Sequence, residues 1–305
     1  MTDPIKLKTK TIRGAHDGPH LLITAGVHGD EFEPMAAVRR LGGEIDAAAL
    51  RGHVSLVPVV NEAAFEAGDR WAQDELDLAR TCPGSAVGSI TQRTAHAVSQ
   101  MIVGADYYID LHTGGRIMSV LPFCGYPMSV SAKTLDVSRR MAQAFNLPIV
   151  WSTEGRKPGR TLSISRDHDI PSIYAEYEGG GRYNSAGTAD YVAGCLNVMG
   201  ELGMIDRTSP SSRIEHLVED ERSDSAHMQI QNPSPVAGFF ESAVELGQRV
   251  EPGDALGTVS DPLGHRVETV RSTQCGLVIV LRTICRVAKD DALAVIVEVD
   301  RPYGG

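Results

Sequence analysis

The 305-residue sequence is poor in aromatic residues and in positive charge. Phe, Trp and Tyr make up 5% of it, and 29 Lys and Arg stand against 39 Asp and Glu, a formal net charge of −10. A surface of that sign repels phosphate backbones and anionic lipid headgroups. We therefore predict that the chain binds neither nucleic acid nor a membrane.

Long hydrophobic runs and paired cysteines are also missing. No apolar run approaches the roughly 20 residues that span a bilayer, and the opening MTDPIKLKTK lacks the apolar centre of a secretory signal. The five cysteines form no CxxC pair, which is typical of reduced thiols in a cytosol. These absences predict a cytoplasmic protein. A thiol enzyme that uses Cys82 or Cys124 stays an open alternative.

The first two thirds of the sequence alternates strand-like and helical stretches. Several strand candidates are apolar throughout, as buried central strands are. The alternation predicts an α/β fold, a sheet covered by helices on both faces, with ligands at the carboxyl ends of its strands. The predicted strands are 21–24, 54–60, 107–111, 148–151 and 172–177, and the predicted helices are 33–41, 91–103, 132–145 and 189–204.

A polar, Ser-rich stretch separates this part from the C-terminal residues. It predicts a linker at 206–232 between a first domain, 1–205, and a small β domain, 233–305. Within the latter, a segment from Gly238 resembles one from Gly276, as in the hammerhead barrels that carry biotin or lipoate. The hairpin that joins the two halves has no lysine, which disfavours a carrier function.

Histidine is the informative residue type, because two of the ten stand where predicted strands end. LLITAGVHGDEFE brings His28 and Glu31 into a turn, and YYIDLHTGG ends a strand at His112. An imidazole and a carboxylate three positions apart can face one cation, and zinc accepts nitrogen and oxygen ligands together. A ligand from another strand end would complete the three protein ligands of a catalytic zinc.

Carboxylates accompany these histidines. Asp110 precedes His112 on the same strand face, where it would orient a metal-binding imidazole or pair with an arginine. IYAEYEGGG carries Glu176 and Glu178 two residues apart, which places them on one face of a strand. A buried carboxylate beside a zinc-bound water can act as general base. We favour Glu176 as that base, with Glu178 as substitute, against an ion pair with Arg182.

Together these motifs resemble the succinylglutamate desuccinylase and aspartoacylase family, zinc deacylases with a catalytic domain similar to carboxypeptidase A. The HGDE turn, the DLH strand end and the EYEGGG strand match in order, and NEAAFEAGDRWAQDELDLARTCPG looks like a fourth family block. The resemblance covers essentially the whole chain. It implies a mixed, mostly parallel sheet flanked by helices and followed by a smaller all-β, hammerhead-like domain.

The resemblance also implies a role for each matching residue. One Zn²⁺ per chain would be bound by His28, Glu31 and His112. Glu176 would be the base and Arg70 would stabilise the oxyanion. The substrate would contact Arg80, which suits a carboxylate, together with Asn61 and Glu178.

Three positions depart from the family pattern. Ala79 stands where the family has an Asn, Glu62 where it has a Pro, and Cys82 where it has a Phe. The loss of the Asn removes a donor to a substrate carboxylate, so the sequence does not identify the acyl amino acid. Four cations in loops are candidates for replacing that donor, namely Arg116, Lys157, Arg160 and Arg182.

The resulting prediction is a zinc amidohydrolase that removes an acyl group from a small N-acyl amino acid or related amide. A metallocarboxypeptidase, or another amide or ester hydrolase of this fold, is the alternative within hydrolases. A non-catalytic module that binds a metal or ligand is the alternative from another class. We also expect a homo-oligomer, a dimer or tetramer.

Overall fold

One eight-stranded sheet organises the first two thirds of the protein, in a computed structural model that describes residues 4–154, 156–222 and 231–299. Across the sheet the strands are β1 (Lys10–Arg13), β3 (Arg51–Val57), β2 (His16–Ala25), β4 (Tyr107–His112), β8 (Ser172–Glu176), β6 (Phe123–Gly125), β7 (Ile149–Thr153) and β9 (His216–Asp220). Only the β1–β3 and β8–β6 pairs are antiparallel among these described strands. The expected mixed, mostly parallel sheet is confirmed.

Helices cover both faces of this sheet. They are α1 (Phe32–Glu44), α2 (Glu62–Ala67), α3 (Ile90–Val103), α4 (Ala132–Phe145), α5 (Thr161–Asp167) and α6 (Ser185–Glu201), with a 3₁₀ turn at Leu78–Arg80. The buried side chains of α1, α4 and α6 join one apolar core, and those of α3 and α5 join a second. Within the described residues, every helix is too short or too polar to span a bilayer.

The predicted elements all form, with shifted ends that have local causes. β3 ends at Val57 because Pro58 follows and cannot donate to the ladder. α6 begins at Ser185 because the side chain of Asn184 accepts a hydrogen bond from the Ala186 amide. The short elements β1, β5 (Met118–Val120), β6, α2 and α5 were not predicted.

The stretch predicted as a linker differs in the structure. Its residues His216–Asp220 form β9, which pairs in parallel with β7 at the edge of the sheet. An edge strand has only one neighbouring strand and tolerates polar residues. Its sequence therefore lacks the apolar run by which a buried strand is predicted. Residues 223–230 of that stretch lie outside the described residues.

Residues 238–297 form two small antiparallel sheets. Their strands are β10 (Gly238–Ser242), β11 (Arg249–Val250), β12 (Ala255–Ser260), β13 (Val267–Arg271), β14 (Gly276–Arg282), β15 (Arg286–Val287) and β16 (Ala294–Val297). The sequence repeat corresponds to two sets of three strands, β10–β12 and β14–β16. The short middle strand of each set pairs with the first strand of the other set: β11 pairs with β14, and β15 pairs with β10. We call residues 238–297 the C-terminal β unit.

The C-terminal β unit is joined to the main sheet region by strand pairing. β14 pairs antiparallel with β5, with Val120 opposite Val280. Thr283 adds a backbone hydrogen bond to the Ile117 carbonyl at 2.8 Å. The loop that follows His112 therefore lies against the C-terminal β unit.

Candidate active site

The candidate site lies at the carboxyl ends of three adjacent parallel strands, β2, β4 and β8. Ala25 at the end of β2 is level with Leu111 of β4, and His112 at the end of β4 is level with Glu176 of β8. Side chains that the sequence presents far apart therefore meet at one edge of the sheet.

The turn after β2 positions His28 and Glu31. Gly26 adopts a φ of +66°, and a Cβ at Gly29 would lie 2.1 Å from the backbone carbon of Ala64. Only glycine lets α2 pack this closely against the turn. The turn ends at Glu31, which is the residue immediately before α1.

Three side chains meet in a cluster that can hold a metal ion. The Nδ1 atom of His28 lies 2.7 Å from Oε1 of Glu31, and the Nδ1 atom of His112 lies 3.0 Å from Oε2 of the same carboxylate. One ligand atom from each of the three residues lies within 4.8 Å of the others. Two imidazole nitrogens and one carboxylate form the donor set of a catalytic zinc site.

The outer nitrogen of each histidine contacts a further carboxylate. Nε2 of His112 lies 3.0 Å from Asp110, and Nε2 of His28 lies 3.1 Å from Asp77. Because the carboxylate holds the Nε2 proton, Nδ1, which faces Glu31, is the nitrogen that can exchange its proton for a cation. Asp110 contacts His112 rather than His28 or an arginine, and it also accepts hydrogen bonds from Thr24 at 2.7 Å and from Thr161.

Mutual attraction controls the charges in the cluster. Burial alone would raise the pKa of Glu31, but His28 and His112 hold it well below its usual range. Burial would lower the pKa of His112, but Asp110 and Glu31 raise it well above its usual range. The cluster therefore favours an ionised Glu31 carboxylate beside a protonated His112 imidazole.

Glu176 differs from Glu31 in its surroundings. Its carboxyl group is buried at the end of β8, and burial raises its pKa to about 8. Arg182 is exposed, and the ion pairs among the described residues do not include one between Arg182 and Glu176. A buried carboxyl group beside a possible metal site has the proton affinity that a general base needs.

The two arginines predicted to act on the substrate lie in the segment that runs from the end of α2 to the end of the 3₁₀ turn. Arg70 donates to Asp77 at 3.0 Å, and its guanidinium lies 4.0 Å from Oε1 of Glu31. Asp77 thus contacts both His28 and Arg70. Arg80 donates a hydrogen bond to the Ala79 carbonyl at 2.7 Å.

A first cavity opens beside His28, His112 and Glu176. Two of the four candidate cations, Lys157 and Arg160, line it together with Arg80, and the other two do not. Its remaining wall includes three aromatic residues, Tyr126, Trp151 and Tyr174. We call this space the basic cavity.

Two predicted substrate residues lie elsewhere. Asn61 is fully buried, accepts a hydrogen bond from the Ala64 amide at the start of α2, and does not line the basic cavity. Glu178 does not share a strand face with Glu176, because β8 ends at Glu176 and Glu178 has a φ of +46°. The chain leaves the strand before Glu178, so period-two alternation does not extend to it.

The cysteines do not support a thiol enzyme. Cys82 and Cys124 are buried, and burial raises the pKa of Cys82 to about 12 and that of Cys124 further. Thiols with so high a pKa are protonated at neutral pH and are poor nucleophiles.

The sheet, the cluster of two histidines and one glutamate, and the adjacent buried carboxyl group are those of a hydrolase that acts on amide bonds. The chain belongs to the succinylglutamate desuccinylase/aspartoacylase family, since a model of the catalytic domain of that family matches residues 17–202. The proteins to which the chain is similar extend this match beyond the catalytic domain.

A curated relative is the N-alpha-acetyl-L-2,4-diaminobutyric acid deacetylase of Halomonas elongata, 28% identical over 94% of this chain and 84% of its own length. A succinylglutamate desuccinylase/aspartoacylase from Rhodobacter sphaeroides has a similar structure, with a TM-score of 0.85 and 25% sequence identity. The match covers 97% of this chain and 90% of that protein. The product-bound structure of the ectoine utilization protein EutE (DoeB) from Ruegeria pomeroyi is also similar, with a TM-score of 0.84 and 26% sequence identity. The match covers 94% of this chain and 87% of that protein.

Proposed function

We propose that the chain is a zinc-dependent deacylase of small N-acyl amino acids, with one Zn²⁺ held by His28, Glu31 and His112. The observation that carries this proposal is the pair of Nδ1 atoms that face Glu31, each on a ring whose Nε2 contacts a carboxylate. Donors and outer carboxylates in this arrangement suit a divalent metal. When bound, the metal would polarise the amide carbonyl and lower the pKa of a water molecule.

Glu176 would accept the proton of the attacking water. Its carboxyl group is buried beside His112, and its raised pKa suits a group that takes a proton and then returns it to the departing amine. The role of base belongs to Glu176 in this proposal rather than to Glu178.

Arg70 and Arg80 would act on different parts of the substrate. Arg70 is held by Asp77 close to Glu31, where its charge would stabilise the oxyanion of the tetrahedral intermediate. Arg80, Lys157 and Arg160 line the basic cavity and would bind the substrate carboxylate. Lys157 and Arg160 supply charge on the side where Ala79 replaces the amide of the family pattern.

The class of substrate is argued from the cavity and from a relative. The basic cavity accommodates a short amino acid with its carboxylate among three cations. The Halomonas elongata protein is named as a deacetylase of an acetylated diamino acid. We therefore propose a short acyl group, such as acetyl, on an amino acid.

A substrate panel tests the proposal. Zinc-loaded protein is mixed with N-acetyl, N-succinyl and N-formyl amino acids and, as a separate arm, with dipeptides of two α-amino acids that have a free C-terminal carboxylate. Hydrolysis of the N-acyl compounds alone would support a deacylase. Hydrolysis of the dipeptides alone would indicate a carboxypeptidase. Tight zinc binding without hydrolysis of any compound would favour a binding module.

Assembly and location stay predictions. We propose a dimer or tetramer, which the mass of the protein in solution tests directly. A cytoplasmic location is likewise our prediction, and fractionation of the native cells tests it.

A further inference from the structure

A second cavity opens on the same cluster. It shares His28, Arg70 and Glu176 with the basic cavity. Its far wall comes from the loop after β4 and from the C-terminal β unit, through Met118, Val280 and the Arg282–Asp291 ion pair. A substrate positioned at the cluster therefore has access to two separate spaces.

The two cavities differ in the sign of their charge. Besides Arg70, which lines both cavities, the basic cavity has three cations and, among the described residues that line it, no carboxylate except Glu176. The second cavity is lined by Asp30, Asp77 and Asp291. Asp77 is paired with Arg70, and Asp291 is paired with Arg282 at 2.8 Å.

Asp30 is a carboxylate of the second cavity whose hydrogen bonding is incomplete. It is 5% exposed, and its Oδ2 atom accepts a hydrogen bond from the Arg116 amide at 2.8 Å. Its Oδ1 atom is buried and has no hydrogen-bond partner among the described residues. A buried carboxylate oxygen without a donor is costly, so a donor from outside the chain would relieve that cost.

The backbone around Asp30 is shaped for the carboxylate. A Cβ at Gly115 would lie 2.7 Å from Oδ2 of Asp30, so a glycine is required for the chain to approach this closely. Arg70 interacts electrostatically with Asp30, but its guanidinium donates its hydrogen bonds to Asp77. The geometry fixes one oxygen of Asp30 and leaves the other without a donor.

We propose that Oδ1 of Asp30 receives an ammonium group of the substrate and makes Asp30 a specificity-determining residue. This inference rests on the proposed deacylase function. The ammonium group belongs either to the side chain of the amino acid or to the acyl group. In both cases the substrate carries a carboxylate for the basic cavity and a cation for the second cavity.

Three amides with the same backbone test the inference. Nα-acetyl-2-aminobutyrate has no ammonium group, Nα-acetyl-2,4-diaminobutyrate carries one on the amino acid, and β-alanyl-2-aminobutyrate carries one on the acyl group. We expect zinc-loaded wild-type protein to prefer one of the two cationic compounds in kcat/KM. The preferred compound identifies the side that carries the ammonium group.

Asp30→Asn keeps the shape of the side chain and an oxygen for the Arg116 amide. We expect it to lower kcat/KM for the preferred cationic compound by at least about tenfold, mainly through KM, and to change the neutral compound little. Glu66→Gln removes the same charge from the exposed surface of α2, which packs on the Gly29 turn, and should keep the wild-type preference. Zinc content is measured for each variant.

The outcomes separate this inference from the proposed function. Loss of the cationic preference in Asp30→Asn alone would support it. A uniform loss for all three compounds, or a wild-type protein that prefers the neutral compound, would overturn it and leave a deacylase. Failure of wild-type protein to hydrolyse any N-acyl amino acid would overturn both.

Discussion

The contact between Asp110 and His112 yields a prediction about metal affinity. Asp110 is fully buried, lies 3.0 Å from Nε2 of His112, and accepts hydrogen bonds from Thr24 and Thr161. We expect Asp110→Asn to weaken zinc binding by about 10- to 100-fold, because the imidazole loses the charge that raises its basicity. At about 1.4 kcal/mol for each factor of ten, this loss is about 1.4 to 2.8 kcal/mol.

The structure indicates that Asp110→Asn can still fold. The amide oxygen can remain toward His112 and Thr161, and the amide NH₂ can face Thr24. The hydroxyl of Thr24 lies 2.7 Å from that of Tyr108, so Thr24 has a second partner when it no longer donates to residue 110. The loss is therefore expected in metal affinity more than in the free energy of unfolding.

Competition with a chromogenic zinc chelator measures this loss. Asp220→Asn is a matched control, since Asp220 is also buried but pairs with Arg222 on the far edge strand β9. The control should bind zinc as wild-type protein does. If Asp110→Asn also binds zinc with wild-type affinity, the reasoning that Asp110 supports a metal-binding imidazole is wrong.

The remaining predictions concern catalysis. Glu176→Gln should reduce kcat by about 10²- to 10⁴-fold with unchanged zinc content, because the amide cannot accept a proton; substantial residual kcat would exclude Glu176 as base. Because burial raises the pKa of Glu176, kcat/KM should fall as the pH decreases below that pKa. The midpoint of this fall should lie above the ordinary carboxyl pKa of about 4.3, and a kcat/KM that does not change at acid pH would contradict this. Arg80→Ala should raise KM more than it lowers kcat, and an equal KM for substrates with and without a carboxylate would argue against its assignment.

Much of the candidate site could be predicted because the sequence shows where buried strands end. His28, His112 and Glu176 each follow an apolar run and precede glycines, and parallel strands place such residues at one edge. The same reasoning failed for Glu178, because alternation holds only while the strand lasts. The strand β9 could not be predicted because it lies at the edge of the sheet, where a strand need not be apolar.

Other contacts could not be read from the sequence. Asp77 touches His28 across 49 residues of chain, and its sequence signal is only that it precedes the 3₁₀ turn as a cap. The sequence left four cations as equal candidates, and only the packing of the loop before α5 places Lys157 and Arg160 in the cavity wall. The incomplete hydrogen bonding of Asp30 depends on the backbone of Gly115 and Arg116, which no sequence pattern reports.

Titration of zinc into chelator-treated protein tests the central claim most directly. Hydrolysis of an N-acyl amino acid is followed while zinc is added in known amounts. We predict that the rate rises in proportion to zinc and reaches a plateau at one zinc per chain, with no such rise in His28→Ala. Full activity of the chelator-treated protein before any zinc is added would contradict the account.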